Sequence, residues 1–119
     1  MSLRDQINSA DDCARECMTV TEWGGITVYI RSITAAEIDS WQDETYQLNG
    51  ANVTVNRANI RARLLARCLV DEHGERAYTD AQAEELGAKN NRVVERLYKV
   101  AERLNAVTAA DVEDLAKNS

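Results

Sequence analysis

Apolar residues recur most regularly between positions 55 and 69. Ile60, Leu64 and Cys68, with Ala58, Ala62, Leu65 and Leu69, repeat at spacings of three and four. That period predicts an amphipathic helix from about Val55 to Leu69, and its stripe makes it the central core helix. Downstream, Val93, Leu97, Val100 and Leu104 mark a longer helix with the alternating four-three spacing of a packing seam. Between them Asp71 to Arg76 reads as a turn around Gly74, with Val70 and Tyr78 as very short flanking strands. Thr79 stands three before Gln82 in the order of a capping box, and Gly87 ends the short helix that follows. Thr108 and Asp111 open a last short helix carrying Val112 and Leu115, with a fraying tail from Lys117.

Upstream the pattern is different. Residues 1 to 16 read as a mobile arm with a brief helical pattern from Leu3 to Ile7. From Met18, β-branched and aromatic residues flank Gly24 and Gly25, which predicts a hairpin over 17–33. A two-residue loop pairs Trp23 with Ile26, Thr21 with Val28 and Thr19 with Ile30. Trp23, Ile26, Val28 and Ile30 then share the face that meets the helices, and Met18, Val20 and Tyr29 lie on the other beside Glu22 and Arg31. Thr34 and Glu37 form a second capping box, opening a helix to about Leu48 that carries Ile38 and Trp41 and ends around Gly50. The fold class is α+β: one mainly α-helical domain spanning 1–119, with an N-terminal β-hairpin packed on four to five helices in the part 34–116.

Composition narrows the function. The 119 residues contain 20 acidic and 14 basic side chains, for a net charge of −6, which opposes attraction to DNA or an acidic membrane surface. A protein partner fits better. There is no Phe, so the core is aliphatic apart from two Trp and four Tyr. No run is long and apolar enough to span a bilayer, and MSLRDQINSADD lacks the apolar centre of a signal peptide. The three cysteines, an odd number in a chain without an export signal, read as thiols.

Candidate chemistry is sparse. Cys13 and Cys17 would need two more ligands to hold zinc, and the one histidine, His73, sits in a polar glycine turn. Asp71, Glu72, Glu75 and Asp80 do not follow a calcium-loop spacing. No nucleophile with its base and no phosphate loop is present, so the sequence predicts neither catalytic nor cofactor-binding nor metal residues and no enzyme activity. Arg57 with Arg61, and Arg63 with Arg67, stand four apart and flank the apolar stripe. They are read as solvated flanks paired with the chain's own carboxylates; the alternative is contact with an acidic partner or another copy, through Arg63 and Arg67. On the hairpin, rings on both faces and an open strand edge make Trp23, Tyr29 and Arg31 candidates for self-association or capture of a partner segment. The competing reading packs Trp23 and Tyr29 on the helices.

Three blocks carry a family resemblance: TEWGGITVYIRSITAAEID from Thr21, RARLLARCLVDEHGERAYTDAQAEEL from Arg61 to Leu86, and ERLNAV from Glu102. In their order of apolar, turn and capping residues they resemble the tail assembly chaperones of long-tailed bacteriophages. The stretch Tyr46 to Asn56 falls outside the match. The resemblance implies a protein that binds the tape measure protein, prevents its aggregation and recruits major tail tube subunits in the host cell cytoplasm, and that is absent from the mature virion. It also implies, for many members, a longer product made by ribosomal frameshifting. The rival reading is a small phage or prophage regulatory protein that binds nucleic acid, which requires a compact basic face.

Overall fold

The computed structural model describes residues 1–106, so the predicted helix at Thr108 lies outside the described residues. The chain begins with helix α1 (Leu3–Ser9), capped by the Ser2 hydroxyl accepting from the Asp5 amide at 3.1 Å, and no residue of this helix is buried. Strand β1 (Arg15–Val20) takes up part of the expected arm and pairs antiparallel with β2 (Ile26–Arg31).

The hairpin register differs from the one the glycine pair predicts. Thr21–Trp23 forms a 3₁₀ turn, and Gly24 and Gly25 both take positive φ (80° and 76°), so the loop has five residues and Val20, not Trp23, pairs with Ile26. That shift is by an odd number of positions, which turns β1 over. Val20 and half-buried Met18 therefore join Val28 and Ile30 on the helix-facing side, while Ile26 is 51% exposed.

Helix α2 (Ala35–Thr45) starts at the expected capping box: the Thr34 hydroxyl accepts from the Glu37 amide at 3.2 Å and Glu37 Oε1 accepts from the Thr34 amide at 3.1 Å. It ends at Thr45, earlier than its predicted end at Leu48. Tyr46 instead begins β3 (Tyr46–Asn49), which folds back on β4 (Asn52–Val55) through Gly50 at φ 65°. Glycine at the first central position of a two-residue loop is the signature of a tight hairpin turn.

The central helix α3 (Ile60–Cys68) is correspondingly shorter than expected, because Val55 belongs to β4 and Asn59 caps the helix in a left-handed conformation at φ 53°. Every residue from Ala62 to Cys68 is buried. Strand β5 (Leu69–Val70) follows directly and pairs with β2, giving a three-stranded sheet in the order β1-β2-β5. Val70 bridges Arg76 across the predicted turn, so the flanking partner is Arg76 and not Tyr78. Asp71 organises that turn by accepting from the His73 and Glu75 amides at 2.8 and 3.0 Å.

The second capping box is present, with Gln82 Oε1 accepting from the Thr79 amide at 2.9 Å ahead of α4 (Ala83–Gly87). Helix α5 (Asn91–Leu104) buries Val93, Val94, Leu97, Tyr98 and Ala101 against α3 and the sheet. The fold is thus α+β, with five helices among the described residues and the N-terminal hairpin sheet packed against the helices. One core joins Val20, Val28, Ile30, Trp41, Leu64, Leu65, Leu86 and Leu97. Burial of each large aliphatic side chain there contributes about 1.5–3 kcal/mol.

Candidate functional site

Strand β1 is the open edge of the three-stranded sheet among the described residues. The Ser32 amide donates to the Ala14 carbonyl at 2.8 Å, which fixes the alternation of the ladder. Glu16, Met18 and Val20 bond toward β2, and the amides and carbonyls of Arg15, Cys17 and Thr19 point outward. Unpaired groups in such a row are a template for another extended chain.

The hairpin is held in place from behind by α5. Arg96 makes two hydrogen bonds of 2.8 Å to the Glu22 carboxylate, and Arg103 pairs with Glu16. The Arg96 guanidinium, with help from the Glu22 amide and the Thr21 hydroxyl, holds the Glu22 carboxyl down at about 2. At the hairpin's exit, Asn105 accepts from the Ile33 amide at 2.8 Å and donates to the Ala101 carbonyl at 2.8 Å, tying the strand's end to the last turn of α5.

Trp23 lies in the 3₁₀ turn, half-buried. With Ile26, Val28, Leu69, Ala77 and Tyr78 it lines an apolar cavity of about 240 Å³ beside the end of β2, where short β5 leaves the sheet unfilled. Tyr29 and Arg31 alternate onto the opposite face from Val28 and Ile30. The Arg15 guanidinium sits 4.8 Å from the Tyr29 ring centroid, close enough for a cation–π attraction. Arg31 turns inward, donating to Glu37 Oε2 at 2.8 Å and to the Arg67 carbonyl at 3.0 Å. Trp23 and Tyr29 therefore present parts of two adjoining surfaces, and Arg31 anchors the strand's end to α2 and α3. Ile26 and Tyr78 join Trp23 at the cavity and Arg15 joins Tyr29 on the other face; the sequence did not single them out, because Ile26 is exposed by the register of the five-residue loop and Tyr78 reaches the cavity only through tertiary structure.

Arg63 and Arg67 are elsewhere and are not solvated flanks. Arg67 is 1% exposed. It donates to Glu44 Oε1 at 2.6 Å, Ser40 Oγ at 3.1 Å and the Arg63 carbonyl at 2.9 Å, and lies 3.4 Å from Asp80 Oδ2. Arg63 donates to Thr45 Oγ1 at 2.9 Å and to the Asn56 and Ala58 carbonyls at 2.7 and 3.0 Å. Burial pushes its guanidinium below the ordinary arginine value, with Glu44 opposing. A guanidinium with its donors satisfied in this way is stable inside a protein, and the two arginines join α2, the neck of the β3–β4 hairpin and α3. Arg61 does pair outward as expected, with Glu95 at 2.5 Å.

Among the described residues no three His, Cys, Asp or Glu side chains are placed to hold a metal ion. His73 is exposed beside Glu72, and Cys68 is buried with its thiol pushed up to about 12. No described helix is long and apolar enough to cross a membrane. Fold and surface together define an α+β protein with an open strand edge at β1 and an apolar cavity on the β5 side of the hairpin.

The family described as phage tail assembly chaperone matches residues 2–118, and the chain belongs to it. Members of this family are not enzymes. Among solved structures, the chain is similar to the tail assembly chaperone of bacteriophage HK97, with 20% identity, a TM-score of 0.59 and coverage of 85% of this chain and 91% of that one. No curated protein matches the chain.

Proposed function

We propose that this chaperone binds the tape measure protein, keeps its apolar surface from aggregating and recruits tail tube subunits around it. It acts in the host cell cytoplasm and is absent from the finished virion. Membership of the tail assembly chaperone family supplies the context. The observations that carry the binding step are the outward row of Arg15, Cys17 and Thr19 backbone groups on β1 and, on the β5 side of the same hairpin, the apolar cavity lined by Trp23, Ile26 and Tyr78. An extended or amphipathic client segment gains main-chain hydrogen bonds at the edge and apolar contact at the cavity. Each such contact is small, and many copies along one long client give avidity.

The nucleic-acid reading is less well supported. It needs a basic face, and two of the four arginines that suggested one are enclosed by the chain itself. The test is co-purification of tagged chain with the tape measure protein and with the tail tube protein from the same phage. Native chain is expected to retain both, and Thr19→Pro combined with Trp23→Ala to retain neither. Retention unaffected by the double variant would move the binding surface elsewhere, and no retention by native chain would refute the reading.

A further inference from the structure

Of the four arginines that flank the central stripe, Arg63 and Arg67 are enclosed, and the other two open onto a second cavity. It holds about 310 Å³ and lies where the start of α3 meets the end of α4 and the start of α5. Arg57, Arg61 and Lys89 line it together with Asn59 and Asn91, and buried Ala62 and Val94 close it toward the core. Three lining residues are cationic and none is acidic, in a chain whose acidic side chains outnumber its basic ones 20 to 14. Positive charge is therefore concentrated at this one place against the trend of the whole molecule.

The wall of the cavity depends on a close approach. Gly87, the last residue of α4, does not take the positive φ of the four turn glycines. A Cβ there would run into the side-chain amide of Asn59, so the missing side chain is what lets α4 close on the start of α3. The cations that face the cavity are unequally committed. Arg61 already holds a carboxylate, donating to Glu95 at 2.5 Å. Arg57 and Lys89 pair with no carboxylate among the described residues. Like charges gathered without a counter-ion repel one another, and an anion placed between them removes that cost.

We propose that this cavity binds the carboxylate side chains of an acidic protein segment, with Arg57 and Lys89 as its charged contacts and the Asn59 and Asn91 amides as neutral donors. A cavity at the small end of the range for ligand sites takes a few side chains and not a folded surface. Arginine matches a carboxylate through its planar fork, and lysine adds a compact charge beside it. A long polyanion must also approach the rest of a chain of net charge −6, whereas a short acidic segment brings few charges with it. The cavity shares no lining residue with the one at Trp23, so this inference goes beyond the client reading and stands apart from it.

Fluorescence anisotropy of the full chain with a labelled peptide of alternating glutamate and alanine tests it. Native chain is expected to bind this peptide, more weakly as salt is raised, and to ignore the same peptide with glutamine in place of glutamate. Arg57→Gln with Lys89→Gln should bind about ten-fold more weakly, the combined loss of two exposed ion pairs. Arg57→Lys with Lys89→Arg keeps both charges and should retain binding. Arg4→Gln with Arg92→Gln makes the same change in net charge outside the cavity and should also retain it. All four substituted side chains are exposed, so none of these changes opens the core. Native chain that ignores the acidic peptide, equal losses from the two glutamine pairs, or an oligothymidylate that displaces the labelled peptide better than unlabelled peptide does would each overturn the proposal, the last in favour of nucleic acid. No tape measure protein is present, so failure here leaves the client reading standing.

Discussion

Asn105 accepts a hydrogen bond from the Ile33 amide at 2.8 Å, across 72 positions of sequence, and so joins the end of the hairpin to the end of α5. The partly buried Ile33 amide loses its acceptor when Asn105 is truncated. Asn105→Ala is expected to lower stability by about 1–3 kcal/mol, the cost of an unsatisfied donor. Urea unfolding should show a reduced midpoint with an unchanged slope.

Arg67 gives a second test of what holds the body together. Its removal takes away bonds to Glu44, Ser40 and the Arg63 carbonyl and leaves a cavity between α2 and α3. Arg67→Ala should cost about 3 kcal/mol, the lower end for breaking a buried pair, because Glu44 and Asp80 are near enough to the surface to regain water. Arg67→Met keeps most of the volume and should cost less. Equal losses from the two variants would mean that volume contributes nothing there.

Glu22 makes a pH-dependent contribution whose sign is fixed. Its carboxyl is held at about 2 in the folded chain against an ordinary 4.5. A depressed carboxyl stabilises the fold above the unfolded value and loses that contribution as pH falls from about 4.5 toward 2. The difference in urea midpoint between native chain and Glu22→Gln should therefore be constant above pH 5 and shrink through that window. A difference that grows on acidification would contradict the Arg96 pairing.

Thiol labelling distinguishes the cysteines. Cys17 is exposed on β1 and should react with a maleimide in the folded chain, while Cys68, buried and pushed up to about 12, should react only on unfolding. Mass spectrometry before and after denaturation reads both.

Much of this architecture was legible because its signals are local. Thr34 with Glu37, Thr79 with Gln82, and Gly74 in its turn each announce an element through a few neighbouring residues, and the stripes of α3 and α5 have a clear period. The hairpin register was not, since Gly24-Gly25 fits a two-residue loop as readily as the end of a five-residue one, and only the packing of Met18 and Val20 decides. The β3–β4 hairpin hid behind a capping box strong enough to suggest a longer helix, although apolar and polar residues alternate on each side of Gly50-Ala51. Arg63 and Arg67 could not be placed from sequence, because a buried arginine is defined by the carbonyls and carboxylates around it, which come here from α2, the segment after β4 and the turn before α4. The candidate surface was half legible: Trp23 and Tyr29 stood out as rings on a hairpin, while Ile26 and Tyr78 joined them only through tertiary structure.

The most direct measurement is light scattering of tape measure protein from the same phage, diluted out of denaturant with and without this chain. Scattering should be suppressed in proportion to added native chain, and Thr19→Pro with Trp23→Ala should abolish the suppression in a chain that still unfolds cooperatively in urea, at a midpoint lowered by the loss of the partly buried Trp23 ring. Scattering that rises identically in the presence and absence of native chain would contradict the account.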